Sequence, residues 1–431
     1  MKRKVIDELI NWKIQDSGKP ILLTGAKGVG KTYLAYDFAK AFFERICYIN
    51  FEREPKASGI FASQDMEIIK AQLMDHFHLE QEVIDDKARV LILDEISCNS
   101  EVLYRIKKMD LASIFRFIII ISSNPLSPED TVNMQRLTIY PLEFDEFLRA
   151  TSNEWYIESI ITHFNMDSKI PEIVHKELLA LHELYLKIGG MPGAVNEYLN
   201  LNSTVNVSEQ HSFLIGSYHD YIHRDNSDSD ALKMNQVFDS LIFQLMKENK
   251  KFQYKLIRKG TTHSMYKDAI GKLCDHNYII KCNRISNEQL LNPLTSFQSE
   301  EWQSIEANTN FKLYLPDTGM LHTRLVEEQG ASLILNQKKA LLENYVACSL
   351  QSKNYLFAFW ESESMAKVDF LFLKENELYP VEIFEGENTR SKSISILKQK
   401  SDFPYAIKIS AKNFEFANQI KYVPYYAVFC L

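Results

Sequence analysis

A glycine-rich stretch near the N-terminus has residue types and a spacing that suit phosphate binding. Residues 25–32 match the pattern G-x-x-x-x-G-K-[ST] at every fixed position. In such a loop the glycines let backbone N–H groups turn toward phosphates, while Lys31 reaches the β- and γ-phosphates and the Thr32 hydroxyl binds Mg²⁺. A plain glycine-rich turn is the alternative. We predict that ATP is held by eight residues: Gly25, Ala26, Lys27, Gly28, Val29, Gly30, Lys31 and Thr32.

A pair of acidic residues closes an apolar run further along the chain. Residues 90–93 are all apolar and are followed by Asp94 and Glu95, which is the Walker B pattern. A buried parallel strand is apolar throughout and ends at the sheet edge where ligands bind. We predict that Asp94 holds Mg²⁺ through its water shell and that Glu95 polarises the attacking water. The alternative is an apolar strand with an exposed acidic end.

Polar side chains also follow the next apolar run, residues 117–121. A residue at this place can sense the γ-phosphate and orient water. We favour Asn124 for this role, with Ser123 second, over a simple polar cap at the strand end. Arg136 can supply positive charge to a phosphate in its own subunit or in a neighbouring one. A solvated surface arginine is the alternative for Arg136.

These candidate residues need a parallel sheet that brings several strand ends together. Apolar runs before the glycine-rich loop and at 46–51, 90–93 and 117–121 predict buried strands, and helical patterns such as 32–43 lie between them. An amphipathic helix is predicted within residues 1–19. The predicted fold class is therefore α/β, with the parallel sheet of a P-loop NTPase.

The order of these motifs, together with the segment 140–148, resembles prokaryotic AAA-family P-loop ATPases that carry a C-terminal DUF4143 domain. Further matches are the Gly-Gly-Met-Pro turn at 189–192 and the strand and Asp-x-Gly corner at 311–320. The resemblance covers nearly the whole chain. It implies four parts: an AAA-type P-loop ATPase domain (1–150), a helical lid (151–232), a winged-helix domain (233–300) and a restriction-endonuclease-like α/β domain (301–431).

The predicted winged-helix domain is locally basic. Helical patterns are followed by two short strand candidates for the wing, at 278–281 and 283–285. The cations of this segment are Lys250, Lys251, Lys255, Arg258, Lys259, Lys267 and Lys272. Contact with DNA phosphates is one interpretation of the Lys250–Lys272 region, and a protein-packing winged helix with solvated lysines is the other.

The C-terminal third resembles the core of PD-(D/E)xK nucleases in three carboxylates. Glu343 lies in a helical pattern, Asp369 in a strand candidate and Glu382 in the next strand candidate. In a working nuclease such acids converge on Mg²⁺. Phe384 occupies the place of the family's lysine, so we expect a degenerate site that keeps the fold and has lost DNA cleavage. The candidates to replace that lysine are Lys367, Lys392 and Lys398.

Composition sets broad limits on the molecule. The chain has 431 residues, enough for two or three domains, and its net charge of −8 argues against a surface wholly coated with nucleic acid. The six cysteines are scattered without a C-x-x-C pair, which favours reduced thiols over zinc ligands. The longest apolar run is too short to span a bilayer and no apolar signal segment follows the basic N-terminus. We therefore expect a cytoplasmic protein without membrane contact.

The main functional hypothesis is an ATPase. It would bind Mg-ATP and, on hydrolysis, shift the helical lid and the winged helix against the nuclease-like domain. The second hypothesis is a nucleotide-dependent nuclease or DNA-processing factor, and the third is a slow nucleotide switch that recruits a protein partner or DNA. A homo-oligomer is compatible with all three, and a ring would need an arginine from a neighbouring subunit, for which Arg136 is the candidate.

Overall fold

The computed structural model describes residues 2–79, 88–108, 114–201, 203–299, 302, 309–330, 337–362 and 366–431, with residues 100, 107 and 108 described by their backbone alone. These residues form two compact units, Lys2–Tyr140 and Pro141–Leu431. We call the first the P-loop unit and the second the C-terminal unit. The division falls after Tyr140, so the boundary predicted at residue 150 lies inside the C-terminal unit.

The P-loop unit is built on a parallel sheet, as the apolar runs predicted. Its strand order is β2-β3-β4-β1-β5, and every pairing is parallel. The central strands are buried on both faces, which explains why they read as continuous apolar runs. The strands are β1 (Ile21–Thr24), β2 (Arg45–Asn50), β3 (Arg89–Asp94), β4 (Phe117–Ile121) and β5 (Gln135–Thr138).

The helices of this unit cover the sheet. The predicted N-terminal helix is α1, which is followed by Asp16 in a left-handed conformation, and its Trp12 ring packs edge-on against Phe117 of β4. The helices are α1 (Ile6–Gln15), α2 (Lys31–Phe42), α3 (Met66–His76), α4 (Ser100–Lys108) and α5 (Pro128–Thr131).

The C-terminal unit contains a mixed sheet with the order β12-β13-β11-β10-β9-β8-β6-β7. The two strand candidates around Asp369 and Glu382 are confirmed as strands, and they form the antiparallel pair β9–β10. The strands are β6 (Ile280–Ile285), β7 (Phe311–Tyr314), β8 (Phe357–Glu361), β9 (Lys367–Lys374), β10 (Glu377–Ile383), β11 (Ala406–Ser410), β12 (Glu415–Ala417) and β13 (Ile420–Pro424).

Helices precede and accompany this mixed sheet. They are α6 (Phe144–Ala150), α7 (Trp155–Met166), α8 (Glu172–Ile188), α9 (Pro192–Leu201), α10 (Val205–Asp225), α11 (Asp228–Leu245), α12 (His263–Asp275), α13 (Pro293–Gln298), α14 (Thr318–Gln329), α15 (Lys338–Ser352) and α16 (Ser393–Leu397).

The predicted wing is not a two-stranded hairpin. A single strand, β6, spans the end of the first strand candidate and all of the second, so that interpretation of residues 278–285 is wrong. No turn residue separates the candidates: Cys282 between them is buried and pairs with Lys312 of β7, while the end of β6 pairs with β8. The segment predicted as a winged helix therefore shares one sheet with the nuclease-like part.

Two motifs that carry the family resemblance pack against each other within the C-terminal unit. Asp317 caps the N-terminus of α14, and its Oδ2 accepts a 2.6 Å hydrogen bond from the Gly190 N–H. Gly190 is required by a close approach, because a Cβ there would lie 2.1 Å from the Leu142 carbonyl oxygen. These glycines and this aspartate thus hold the fold together and lie outside the candidate chemistry.

Candidate functional site

The loop between β1 and α2 forms the predicted phosphate cradle. Gly25 has a φ of 130°, and a Cβ at this position would lie 2.2 Å from the Ile139 carbonyl oxygen of the neighbouring chain segment. Only glycine fits this conformation and this approach. The loop leads directly into α2, whose N-terminal N–H groups favour an anion. The sequence motif therefore has the strand–loop–helix context that phosphate binding needs.

Lys31 is buried at the start of α2, and its ammonium donates to carbonyl groups of its own loop. Its Nζ donates to the carbonyl oxygens of Gly25 at 2.9 Å and Ala26 at 3.0 Å. Burial lowers the pKa of Lys31 to about 8, although the charges of Glu95 and Asp94 partly oppose this shift. Neutral carbonyls can be exchanged for phosphate oxygens, so the ammonium is available to an anionic ligand.

Thr32 and Asp94 lie together at the carboxyl end of the sheet. The Thr32 hydroxyl donates to Asp94 Oδ2 at 2.9 Å, and the Glu95 N–H donates to Asp94 Oδ1 at 2.9 Å. Hydroxyl and carboxylate oxygens are the hard ligands that Mg²⁺ prefers, so this donor set fits the predicted metal. The metal-binding role itself stays a prediction.

Two residues of this site were missed by the sequence analysis. Tyr48 donates from its hydroxyl to Asp94 Oδ2 at 2.7 Å, and Asn50 donates from Nδ2 to the same oxygen at 3.1 Å. Both lie on β2, where Asn50 is the parallel partner of Asp94. The available signal was their place at the end of the strand candidate 46–51, because parallel strands end at one edge of a sheet.

The predicted sensor position brings Ser123 to Glu95. Ser123 Oγ donates to Glu95 Oε1 at 2.6 Å, and the Ser123 N–H donates to Oε2 at 3.3 Å. Glu95 itself has a φ of 51°, an uncommon left-handed backbone for a residue with a side chain. The Asn124 carbonyl accepts a hydrogen bond from Ser122 Oγ. The contact with the candidate base is thus made by the second-ranked residue.

Arg136 is not brought into this hydrogen-bonded group. It lies on β5, where its exposed guanidinium donates to Thr131 Oγ1 at 3.2 Å. A phosphate contact by Arg136, in its own subunit or in another, stays a prediction.

The three carboxylates of the nuclease-like region line one cavity of about 640 Å³ in the C-terminal unit. Glu343 comes from α15, Asp369 from β9 and Glu382 from β10. We call these three residues, together with the lysines that face them, the C-terminal cluster. Those lysines are Lys250, Lys312, Lys339 and Lys408.

Each acid of the C-terminal cluster faces an ammonium group. The Glu343 carboxylate lies 3.0 Å from Lys250 Nζ and 3.5 Å from Lys312 Nζ. Burial opposes the ionisation of Glu343, but Lys312, Lys250 and Lys339 outweigh burial and lower its pKa to about 2. Glu343 therefore stays ionised at neutral pH.

The other two acids follow the same pattern. Asp369 lies 3.5 Å from Lys339, and its second oxygen accepts the Ile383 N–H at 2.8 Å. Glu382 lies 3.6 Å from Lys408, its partner on the neighbouring parallel strand. Across the described ranges, no group of three His, Cys, Asp or Glu residues is placed to hold a metal ion.

Lys408, which was not among the predicted candidates, lies beside Phe384, the residue that occupies the place of the family's lysine. Its Nζ is 5.3 Å from the centre of the Phe384 ring and donates to the Thr389 carbonyl. Of the predicted replacements, Lys367 lines the cavity, Lys398 donates to Gln419, and Lys392 precedes α16.

Several of the predicted DNA-binding cations form ion pairs with acidic residues of the protein. Lys250 pairs with Glu343, Lys251 with Glu361 and Lys272 with Asp230. This leaves fewer cations for phosphates than the sequence suggested.

In the part of the chain that the structure describes, no helix has the length and apolar character needed to cross a membrane.

Comparisons with family models divide the chain in a way that agrees with this architecture. A model described as an AAA domain matches residues 17–148, and a DUF4143 model, a domain of unknown function, matches residues 338–428. A third model, DUF8612, also a domain of unknown function, matches residues 180–330. No curated protein matches the sequence.

Solved structures give distant likenesses. A Walker-type ATPase of Pyrococcus abyssi is 13% identical, with 75% of this chain and 95% of that chain covered and a TM-score of 0.41. Drosophila ORC bound to DNA is 12% identical, with 74% and 84% covered and a TM-score of 0.28. A STAND protein with a tetratricopeptide repeat sensor from Pyrococcus horikoshii is 14% identical, with 82% and 45% covered and a TM-score of 0.27.

At these TM-scores the likenesses carry no argument about activity or partners. An argument about fold and family rests instead on the family models and on the parallel sheet with its glycine-rich loop. The chain thus combines an N-terminal AAA-family P-loop domain with a C-terminal DUF4143 domain.

Proposed function

We propose that the P-loop unit hydrolyses ATP. The observation that carries this proposal is the set of contacts at the carboxyl end of the parallel sheet. There Thr32 is hydrogen-bonded to Asp94, and Ser123 is hydrogen-bonded to Glu95. Both acids interact electrostatically with the buried ammonium of Lys31. This arrangement supplies a phosphate cradle, hard oxygen ligands and a candidate base at one place.

Binding is assigned to the loop and to the first turn of α2. The backbone N–H groups of residues 25–32 bind the phosphates, and Lys31 exchanges its two carbonyl partners for phosphate oxygens. Thr32 and Asp94 hold Mg²⁺, which when bound supplies positive charge to the β- and γ-phosphates.

The chemical step is assigned to Glu95. Its carboxylate orients the attacking water and accepts the proton while the water oxygen bonds to the γ-phosphorus and the bond to the β–γ bridging oxygen breaks. ADP and inorganic phosphate leave. Because Ser123 contacts the Glu95 carboxylate at 2.6 Å, we assign the orienting role to Ser123 in preference to Asn124.

The proposed coupling to the rest of the chain differs from the sequence hypothesis. Strand β6 from the predicted winged helix pairs with β7 and β8 of the nuclease-like part. A shift between these parts would break backbone hydrogen bonds of the sheet, and each broken bond would cost free energy. We therefore propose that residues 233–431 respond to nucleotide as one body.

A Glu95→Gln variant tests the proposal. Turnover should fall by about 10²-fold or more, because the general base is lost, while ATP affinity is kept. The matched control is Glu44→Gln, which removes an exposed acid just before β2, at the end of that strand away from the loop, and should leave turnover unchanged. Full turnover by the Glu95 variant would overturn the assignment.

The same assay separates the other two hypotheses. Tight ATP binding by the unaltered protein with negligible turnover would favour the nucleotide switch. Turnover that rises on addition of DNA would favour the DNA-processing hypothesis. Metal-dependent DNA cleavage is not expected, since the acids of the C-terminal cluster already face lysines.

A further inference from the structure

One oxygen of Asp94 carries an unusual share of the contacts in the P-loop unit. Asp94 Oδ2 accepts hydrogen bonds from three side chains: Thr32 at 2.9 Å, Tyr48 at 2.7 Å and Asn50 at 3.1 Å. Asp94 is fully buried, and within the described residues it makes no ion pair with a lysine or arginine. The groups that donate to this oxygen are neutral, and their geometry sets the orientation of the carboxylate, while the Lys31 ammonium acts on it without a direct contact.

Tyr48 makes the shortest of these three bonds and is itself held in place. Asn50 Nδ2 lies 3.2 Å from the Tyr48 hydroxyl, and the Tyr48 ring packs edge-on against Tyr36 with centroids 6.3 Å apart. The phenolic O–H is the donor in the bond to Asp94, because a carboxylate oxygen accepts. A phenylalanine would fill the same space without the hydroxyl.

We propose that Tyr48 is a positioning residue that orients the Asp94 carboxylate for Mg²⁺. Its hydroxyl, braced by Asn50, holds Asp94 Oδ2 beside the Thr32 hydroxyl, so that these two oxygens are already oriented when Mg²⁺ binds. The inference rests on the proposed function, because it presumes that Thr32 and Asp94 bind Mg²⁺. Partners that orient a metal ligand commonly contribute about 10- to 100-fold to metal affinity.

The test is a Tyr48→Phe variant probed by equilibrium binding rather than by turnover. A fluorescent, non-hydrolysable ATP analogue is titrated first with EDTA and then with increasing Mg²⁺. We expect the affinity in EDTA to be unchanged and the Mg²⁺ concentration at half-effect to rise about tenfold. The matched control is Tyr36→Phe, which removes the hydroxyl of the ring packed on Tyr48 and should leave both values unchanged.

The outcomes separate this inference from the proposed function. An unaltered Mg²⁺ response in Tyr48→Phe overturns the inference, and so does an equal loss of affinity with and without Mg²⁺. Failure of the unaltered protein to bind the analogue at all overturns the proposed function instead. If Tyr48→Phe does not fold, Asn50→Ala takes its place. It removes both the brace of the Tyr48 hydroxyl and a direct donor to Asp94 Oδ2, so it should also weaken the Mg²⁺ response, and an unaltered response overturns the inference.

Discussion

The chain places lysines near buried carboxylates in two regions, and the regions differ in what each charge contacts. In the P-loop unit, Asp94 and Glu95 accept hydrogen bonds from hydroxyl and amide groups, and Lys31 donates to carbonyls. In the C-terminal cluster, carboxylates and ammonium groups face one another, as Glu343 and Lys250 do at 3.0 Å. The same residue types thus form two different kinds of site.

This contrast indicates which acids can accept a cation. A carboxylate held by neutral donors keeps its net charge, so a divalent ion gains attraction when it binds. A carboxylate already paired with lysines offers little net charge, and an ion must first displace or repel those ammonium groups. The P-loop unit is therefore expected to respond to Mg²⁺ and nucleotide, whereas the C-terminal cluster is expected to act on stability.

The largest expected effect is on turnover in an Asp94→Asn variant. The amide loses the negative charge that the metal needs, so ATP turnover should fall by about 10²- to 10³-fold, as for other single electrostatic elements of an active site. Steady-state phosphate release measures this. Asp37→Asn, an exposed change on α2, is the control and should retain full turnover. Retained turnover in the Asp94 variant would contradict the contrast drawn between the two regions.

For the C-terminal cluster we expect a loss of stability without a loss of turnover. A Glu343→Gln variant leaves Lys250 and Lys312 buried without their counter-charge, so the free energy of unfolding should fall by about 3–5 kcal/mol. ATP turnover measured well below the melting temperature should not change. Chemical denaturation followed by circular dichroism gives the stability.

Glu172→Gln supplies the comparison for this variant, because it breaks an exposed pair with Lys176 on α8 and should have little effect. If Glu343→Gln proves as stable as the unaltered protein, the lysines of the C-terminal cluster do not depend on that carboxylate.

A smaller effect should distinguish the two candidate sensors. Ser123→Ala removes the hydroxyl that contacts Glu95, and a hydrogen bond to a charged group is worth about 1.5–3 kcal/mol, so turnover should fall by about tenfold or more. Asn124→Ala is the paired variant and should fall less. The reverse order of the two rates would restore Asn124, the residue that the sequence favoured.

Much of the P-loop site was predictable because local patterns specify it. The glycine-rich loop fixes its own backbone, and an apolar run that ends in Asp94 and Glu95 identifies a buried parallel strand and its functional end. Tyr48 and Asn50 were not predicted, because their role depends on which strand lies beside β3. Strand order is a tertiary property that spacing along the chain does not encode.

The C-terminal cluster shows the same limit more strongly. Its three carboxylates were predicted from the family pattern, but the lysines that face them come from β7, β11, α15 and the segment after α11. Lys250 was interpreted as a candidate DNA contact because the surrounding segment is basic. Only the fold reveals that it faces Glu343. Likewise, β6 was split into a wing because short strands at the end of helices favour that interpretation.

The smallest expected effect is the pH dependence of nucleotide binding, and it tests the contrast between the two kinds of lysine. Burial lowers the pKa of Lys31 to about 8, so the cation that binds phosphate is lost as the pH rises through that value. Lys312 of the C-terminal cluster is also buried, but Glu343 and Asp369 outweigh burial and raise its pKa, so it stays charged over the same range.

The affinity for the ATP analogue should therefore be nearly constant below about pH 7, about half its maximum near pH 8 and up to about tenfold lower by pH 9. Fluorescence titrations across this range measure it. A Lys31→Met variant should bind weakly with no such dependence, while a Lys312→Met variant that remains folded should keep the unaltered profile. A profile that is flat to pH 9 in the unaltered protein would mean that Lys31 holds its proton as firmly as Lys312 of the C-terminal cluster, and that burial does not make Lys31 the more easily discharged cation.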